Sequence, residues 1–146
     1  MSTYKGQTPA SVPVDPRIVS FFENFYALSD NPTTHEEYVQ TLTADADYIM
    51  GTKKVKGRDD ILTARKGLWS GPVKTRKHKL EKIFPFGKDS NEVMVYGSVD
   101  YGLKNGKEVS VEWAGRAIFV EEQGTLKMSF YQVYLDSSPV AAAAKD

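Results

Sequence analysis

Apolar residues recur along this chain at two periods, and the change from one to the other divides it. After Asp15-Pro16, an N-cap followed by proline at the first helical position, Ile18, Phe21, Phe22, Phe25 and Leu28 follow one another at helical spacing. This predicts a first helix ending near Ser29-Asp30-Asn31-Pro32. Thr34 with Glu37, or Thr33 with Glu36, fits a capping box, and Tyr38, Val39 and Leu42 supply the buried stripe of a short second helix. A short β-type run over 47–50 stops at Gly51, and Ile61, Leu62, Arg65, Leu68 and Trp69 then line a third helix closed by Gly71-Pro72. From residue 74 the period becomes two, which predicts strands over 74–84, 92–101, 108–120 and 125–135, separated by glycine-bearing turns. Helices first and a meander afterwards predict an α+β domain, about three N-terminal helices on a strongly curved antiparallel sheet.

The turns set the expected register. Asn105-Gly106 favours a two-residue hairpin loop. That loop pairs Lys104 with Lys107, Ser98 with Trp113 and Asp100 with Val111. Met94, Tyr96, Ser98 and Asp100 then share a face with Val111, Trp113, Gly115, Ala117 and Phe119. A two-residue loop at Gln123-Gly124 pairs Glu122 with Thr125, hence Trp113 with Tyr134 and Val111 with Asp136, and adds Met128, Phe130 and Gln132 to that face. The expected pocket wall is apolar at one end and carries Tyr96, Ser98, Trp113, Gln132 and Tyr134 toward the other. Asp100 and Asp136, on the order of 10 Å apart at Cβ, finish it. The opposite face, with Val93, Val95, Val99, Tyr101, Ile118, Tyr131, Val133 and Leu135 among Glu112 and Arg116, is too apolar for water alone and is expected to meet a second copy.

Composition narrows the chemistry. At 146 residues one domain is expected, spanning 15–136 between loosely held ends at 1–14 and 137–146. The 19 basic and 19 acidic residues cancel, so the lysine and arginine runs at 53–58 and 74–79 read as a solvated face, not a nucleic-acid surface. Zero cysteines exclude disulfides, thiolate zinc sites and a cysteine nucleophile. Two histidines far apart, with no carboxylate cluster at ligand spacing, argue against a metal, and no glycine loop cradles phosphate. Without an apolar run of spanning or signal-peptide length, a cytoplasmic protein with no membrane contact is expected.

The aromatic first helix, Tyr48-Ile49-Met50-Gly51, the basic strand with Arg76-Lys77-His78 and the closing Tyr131-Gln132-Val133-Tyr134-Leu135-Asp136 together resemble the nuclear transport factor 2-like superfamily. More narrowly they are similar to its SnoaL-type branch, which includes polyketide cyclases, ketosteroid isomerase, scytalone dehydratase and limonene epoxide hydrolase. The resemblance covers about 15–136 and implies a cone-shaped fold. Tyr26, Tyr48 and His78 resemble the pocket tyrosines and a histidine of scytalone dehydratase. The catalytic aspartate of that enzyme falls at Ala27, and its second histidine near Ser98 or Asp100. Ser98-Val99-Asp100, Tyr134-Leu135-Asp136 and Tyr48 resemble the limonene epoxide hydrolase pattern, with Ser98 where that enzyme has arginine and Arg65 as the candidate substitute.

The residues and the resemblance together lead to a homodimeric, cofactor-free pocket protein acting on a small hydrophobic ring metabolite by acid-base chemistry. Isomerisation, cyclisation and dehydration are the candidate reactions. His78, Asp136, Asp100 and Tyr48 are the expected catalytic groups. His78 qualifies because imidazole titrates near working pH, and the aspartates because burial raises a carboxyl pKa. Ligand contacts are expected of Tyr26, Met50, Arg65, Trp69, Tyr96, Ser98, Trp113, Gln132 and Tyr134. The alternatives are a non-catalytic binder or carrier using the same cavity, and a dimeric protein-interaction module.

Overall fold

The computed structural model describes residues 2–145. In chain order these form α1 (Pro16–Asp30), α2 (His35–Gln40), β1 (Leu42–Met50), β2 (Lys53–Lys56), α3 (Arg58–Gly67), β3 (Val73–Pro85), β4 (Glu92–Leu103), β5 (Glu108–Glu122), β6 (Thr125–Leu135) and α4 (Ser138–Ala144). The six strands make one sheet in the order β2-β1-β6-β5-β4-β3. The class is α+β as expected, but the sheet is mixed and not purely antiparallel, because β1 runs parallel to β6.

Local chemistry explains most boundaries. Asp15 accepts the Arg17 N–H at 2.9 Å and caps α1 with Pro16 in its first turn. The capping box expected at α2 does not form. Thr34 instead donates its hydroxyl to the Leu28 carbonyl at 2.8 Å, serving the end of α1. The polar stretch after Gly51 is strand β2, paired with the end of β1.

The register departs from expectation in two places. Lys104-Asn105-Gly106 is a three-residue loop: Leu103 donates its N–H to the Lys107 carbonyl at 2.8 Å, Gly106 alone takes positive φ (+88°), and the Asn105 side chain accepts the Lys107 N–H. This is the alternative hairpin open to Asn-Gly, a type I turn with a left-handed glycine. The shift of one residue pairs Gly97 with Trp113 and Val99 with Val111, turning Met94, Tyr96, Ser98 and Asp100 to the outer face. Burial energy decides between the two registers. The observed one buries Val93, Val95 and Val99, each 1% exposed and worth about 1.5–3 kcal/mol. The alternative would bury Ser98 and Asp100, whose polar groups resist desolvation.

The Gln123-Gly124 loop does have two residues, both at positive φ, and pairs Glu122 with Thr125 as expected. A bulge beside Ser129 then shifts β6 by one, so Trp113 pairs with Leu135 and Ala114 with Tyr134. Trp113 and Tyr134 therefore point to opposite sides of the sheet. Phe130, Gln132 and Tyr134 turn outward, and Tyr131 and Val133 turn inward. The apolar face expected to bind a second copy is, for Val93, Val95, Val99, Tyr131 and Val133, the core itself.

That core lies between the inner sheet face and α1, α2 and α3, where Phe22, Phe25 and Tyr26 meet Phe119, Trp113 and Tyr131. Residues 3–7, expected to be loosely held, run beside β3: Leu80 donates its N–H to Thr3 at 2.8 Å and Ile83 to Gln7 at 3.0 Å. This covers an otherwise unpaired sheet edge. At the other end α4 lies against β5, with Asn105 Nδ2 donating to the Ala143 carbonyl at 3.0 Å.

Candidate functional site

Two concavities stand out. A groove of about 590 Å³ between α1, α2 and the β5–β6 turn carries exposed Arg17 and half-buried Lys127 beside Glu37 and, among the described residues, has no buried side-chain polar atom left unpaired. The second, about 480 Å³, is bounded by the ends of α1 and β1, the residues just after α3, the inner sheet face and the start of α4. Its walls are mostly apolar, with Met50, Leu68, Val73, Val133, Leu135 and Val140, and carry a convergent polar set in Arg76, His78, Tyr101, Trp113, Tyr38 and Tyr131. That balance is typical of small-molecule sites.

His78 is the best-held group in this cavity. Its Nδ1 lies 2.5 Å from Asp30 Oδ1, while Asp30 Oδ2 accepts the His78 backbone N–H and the Tyr4 hydroxyl, both at 2.8 Å. Lys77 donates to that tyrosine oxygen at 3.0 Å. The side chains of His78 and Asp30 are 16% and 8% exposed. Tyr26 stacks on the imidazole at 5.1 Å and Trp113 meets it edge-on at 5.6 Å, so the ring is fixed on both sides. A neutral imidazole whose Nδ1–H is committed to a carboxylate presents Nε2 as a proton acceptor.

Below the cavity lie two tyrosine pairs, Tyr26 with Tyr131 at 2.9 Å and Tyr38 with Tyr48 at 2.7 Å. One member of each, Tyr131 and Tyr38, lines the cavity. Each pair has two hydroxyl hydrogens and uses one internally, which leaves one for a further acceptor. Burial pushes the Tyr48 hydroxyl up to about 12 and those of Tyr26, Tyr38 and Tyr131 well above their usual value, so all four stay protonated.

Two arginines frame the other side. Arg65 is buried and donates to the Leu28, Ser29 and Asn31 carbonyls at 2.8–3.1 Å, tying α3 to the negative end of the α1 dipole. Trp69 lies between the guanidinium groups of Arg65 and Arg76, at 4.7 and 4.4 Å. Arg76 spends Nη2 on the Leu68 carbonyl at 2.6 Å, and its buried Nη1 has no partner. The Trp113 indole N–H, on a residue 3% exposed, is likewise unpartnered. Burial lowers both arginine pKa values from their ordinary level.

Of the residues expected at the site, His78, Trp113 and Met50 line this cavity. Tyr26, Tyr48, Arg65 and Trp69 stand one layer behind it, against lining residues. The rest lie elsewhere because of the two register shifts. Asp100 is exposed on the outer face opposite Ser110. Ser98 and Tyr96 share that face, where Tyr96 donates to Glu112. Gln132 and Tyr134 sit outward on β6. Asp136 is exposed and accepts the Ser138 N–H at the start of α4, which lowers its pKa instead of raising it. The sequence reading missed Asp30, Arg76, Tyr38, Tyr101 and Tyr131. Asp30 follows Tyr26 by one helical turn and Arg76 precedes His78 by two strand positions, so spacing alone places each beside a residue already singled out.

Neither a family model nor a curated protein matches the chain. Solved structures do. A protein named as a SnoaL-like polyketide cyclase from Jannaschia sp. CCS1 superposes with a TM-score of 0.72 at 14% identity, covering 93% of this chain and 96% of that one. ActVI-ORFA from Streptomyces coelicolor gives 0.69 at 14% identity, covering 83% and 96%. A protein named as a scytalone dehydratase from Novosphingobium aromaticivorans gives 0.69 at 13% identity, covering 83% of each chain. At such identities the likeness speaks for architecture alone, and the chain shares the fold of these SnoaL-like and nuclear transport factor 2-like structures.

Proposed function

We propose that this chain is a cytoplasmic, cofactor-free enzyme that moves a proton on a small ring ketone, as an isomerase, cyclase or dehydratase does. The observation that carries the reading is the His78–Asp30 pair, held from three sides and directed at an apolar cavity. His78 Nε2 removes a proton from the carbon beside a carbonyl, and the C–H electron pair becomes the new C=C bond. The carbonyl π electrons move to oxygen, giving an enolate. A hydroxyl of the tyrosine pairs and the unpartnered Trp113 indole N–H would donate to that oxygen. The imidazolium then returns its proton to a second carbon, which completes an isomerisation, or to a departing hydroxyl, which completes a dehydration. A positioned base of this kind contributes about 10²–10⁴-fold.

Deuterium exchange tests this without a known substrate. In D₂O the protein should accelerate loss of the C1 protons of 2-tetralone, followed by NMR, and His78→Gln should remove about 10²-fold or more of that acceleration. Equal rates with the two proteins, or no acceleration at all, contradict the proposal. One observation favours the second reading, a non-catalytic carrier: among the described residues no aspartate or glutamate lines the cavity to act as an acid opposite His78. Saturable binding of the ketone without exchange is its signature.

The same proposal includes a homodimer through the outer sheet face, now with the corrected residues. Met94, Tyr96 and Tyr134 are exposed there at 37%, 37% and 46%, beside half-buried Ile118 and Phe130. A monomer at micromolar concentration in sedimentation would remove that part.

A further inference from the structure

The cavity wall holds a cation that has no ion-pair partner among the described residues. Among the described residues Arg76 is the one arginine or lysine that lines it, and no aspartate or glutamate does. Arg76 makes no ion pair among the described residues. Its guanidinium is held in one orientation, by the Leu68 carbonyl on Nη2 and by the Trp69 ring at 4.4 Å. Nη1 is buried with no hydrogen-bond partner among the described residues. A buried donor of a charged group left unmade is costly and calls for an explanation, a bound ligand or water being one. The tryptophan beside His78 repeats the pattern, with its indole N–H orphaned in a residue 3% exposed.

Arg76 and His78 are two positions apart on β3 and both line the cavity, which sets them ~6.6 Å apart along the strand. We propose that the ligand of this cavity carries a carboxylate, bound by the Arg76 guanidinium, several bonds away from the ring carbon that faces His78. The proposal rests on the acid-base reading above and narrows its substrate class to ring keto acids. A carboxylate suits the position because it gives a guanidinium that has no ion-pair partner among the described residues a charge-assisted hydrogen bond.

Isothermal titration with 2-naphthoate and its methyl ester tests the anchor apart from any turnover. The wild-type protein should bind the acid about tenfold or more tightly than the ester. Arg76→Met should reduce that preference to within twofold, Arg76→Lys should retain most of it, and His78→Gln should retain it fully. If Arg76→Met does not fold, the wild-type ratio and the Arg76→Lys ratio decide. Equal affinity for acid and ester in the wild type overturns the proposal, as does a preference that survives Arg76→Met, one lost in His78→Gln instead, or binding of neither probe. A retained preference without deuterium exchange would leave the anchor standing and remove the acid-base reading.

Discussion

Replacing Asp30 by asparagine changes one oxygen for an NH₂ group in a pocket whose geometry dictates which way the amide must turn. Two donors, the His78 backbone N–H and the Tyr4 hydroxyl, converge on Oδ2 at 2.8 Å. The amide oxygen takes that place, and its NH₂ group faces His78 Nδ1, where Oδ1 stood at 2.5 Å. A donor opposite Nδ1 forces Nδ1 to accept, so the imidazole hydrogen moves to Nε2 and the cavity meets a donor where it had an acceptor. The structural cost is one charge-assisted bond, about 1–3 kcal/mol, read as a lower urea midpoint. The functional cost is larger, because the base is in the wrong tautomer: exchange into 2-tetralone should fall about 10²–10⁴-fold, or roughly 3–5 kcal/mol of barrier. The chain has two histidines, so ¹⁵N-resolved imidazole spectra need distinguish only His78 from His35. In the neutral ring the wild-type protein should show Nδ1 protonated and D30N should show Nε2 protonated. An unchanged tautomer, or an exchange rate within threefold of the wild type, refutes the reasoning.

Three further outcomes follow from the same geometry. A Cβ at Gly97 would lie 2.0 Å from the Lys79 carbonyl oxygen and 3.1 Å from the Trp113 ring, so Gly97→Ala should cost about 3 kcal/mol or more in chemical denaturation by forcing β3 from β4. Arg65→Met removes three bonds to the end of α1 and should cost about 3 kcal/mol, with a cost below 1 kcal/mol contradicting the role given to Arg65. At alkaline pH the folded chain keeps the Tyr48 proton up to about 12 while an unfolded tyrosine loses its own near 10. The native state then binds the extra proton, so stability is full below about pH 10 and falls as pH rises toward 12, and Tyr48→Phe should flatten that fall in urea midpoints measured across the range.

The fold was legible because it rests on patterns that tolerate local error. Aromatic residues at helical spacing in α1 and glycine-bearing turns between period-two strands placed α1 and β3 to β6, while β1 was expected only over 47–50 with Leu42 in the helix before it, and its parallel contact with β6 escaped because nothing local encodes it. The site was less legible, since in a sheet one residue of slip exchanges the faces. Asn105-Gly106 serves two hairpin geometries, and the one that buries Val93, Val95 and Val99 is the one that turns Asp100 and Tyr96 outward. The bulge at Ser129 did the same to Tyr134 and Gln132, and its only sequence trace is a run of apolar residues that does not alternate cleanly. His78 and Trp113 were found because their faces did not depend on either shift. Asp30 was missed because a helix-terminal Ser-Asp-Asn-Pro reads as a stop signal, and its partner stands 48 residues away.

A crystal structure with 2-naphthol, the aromatic counterpart of the 2-tetralone enol, tests the central assignment most directly. The account predicts the rings inside the 480 Å³ cavity, C1 about 3–3.5 Å from His78 Nε2 and the oxygen about 2.7–3.2 Å from Trp113 Nε1. A ligand seated in the α1–α2 groove or on the outer sheet face, or one in the cavity with C1 turned away from His78, would contradict it.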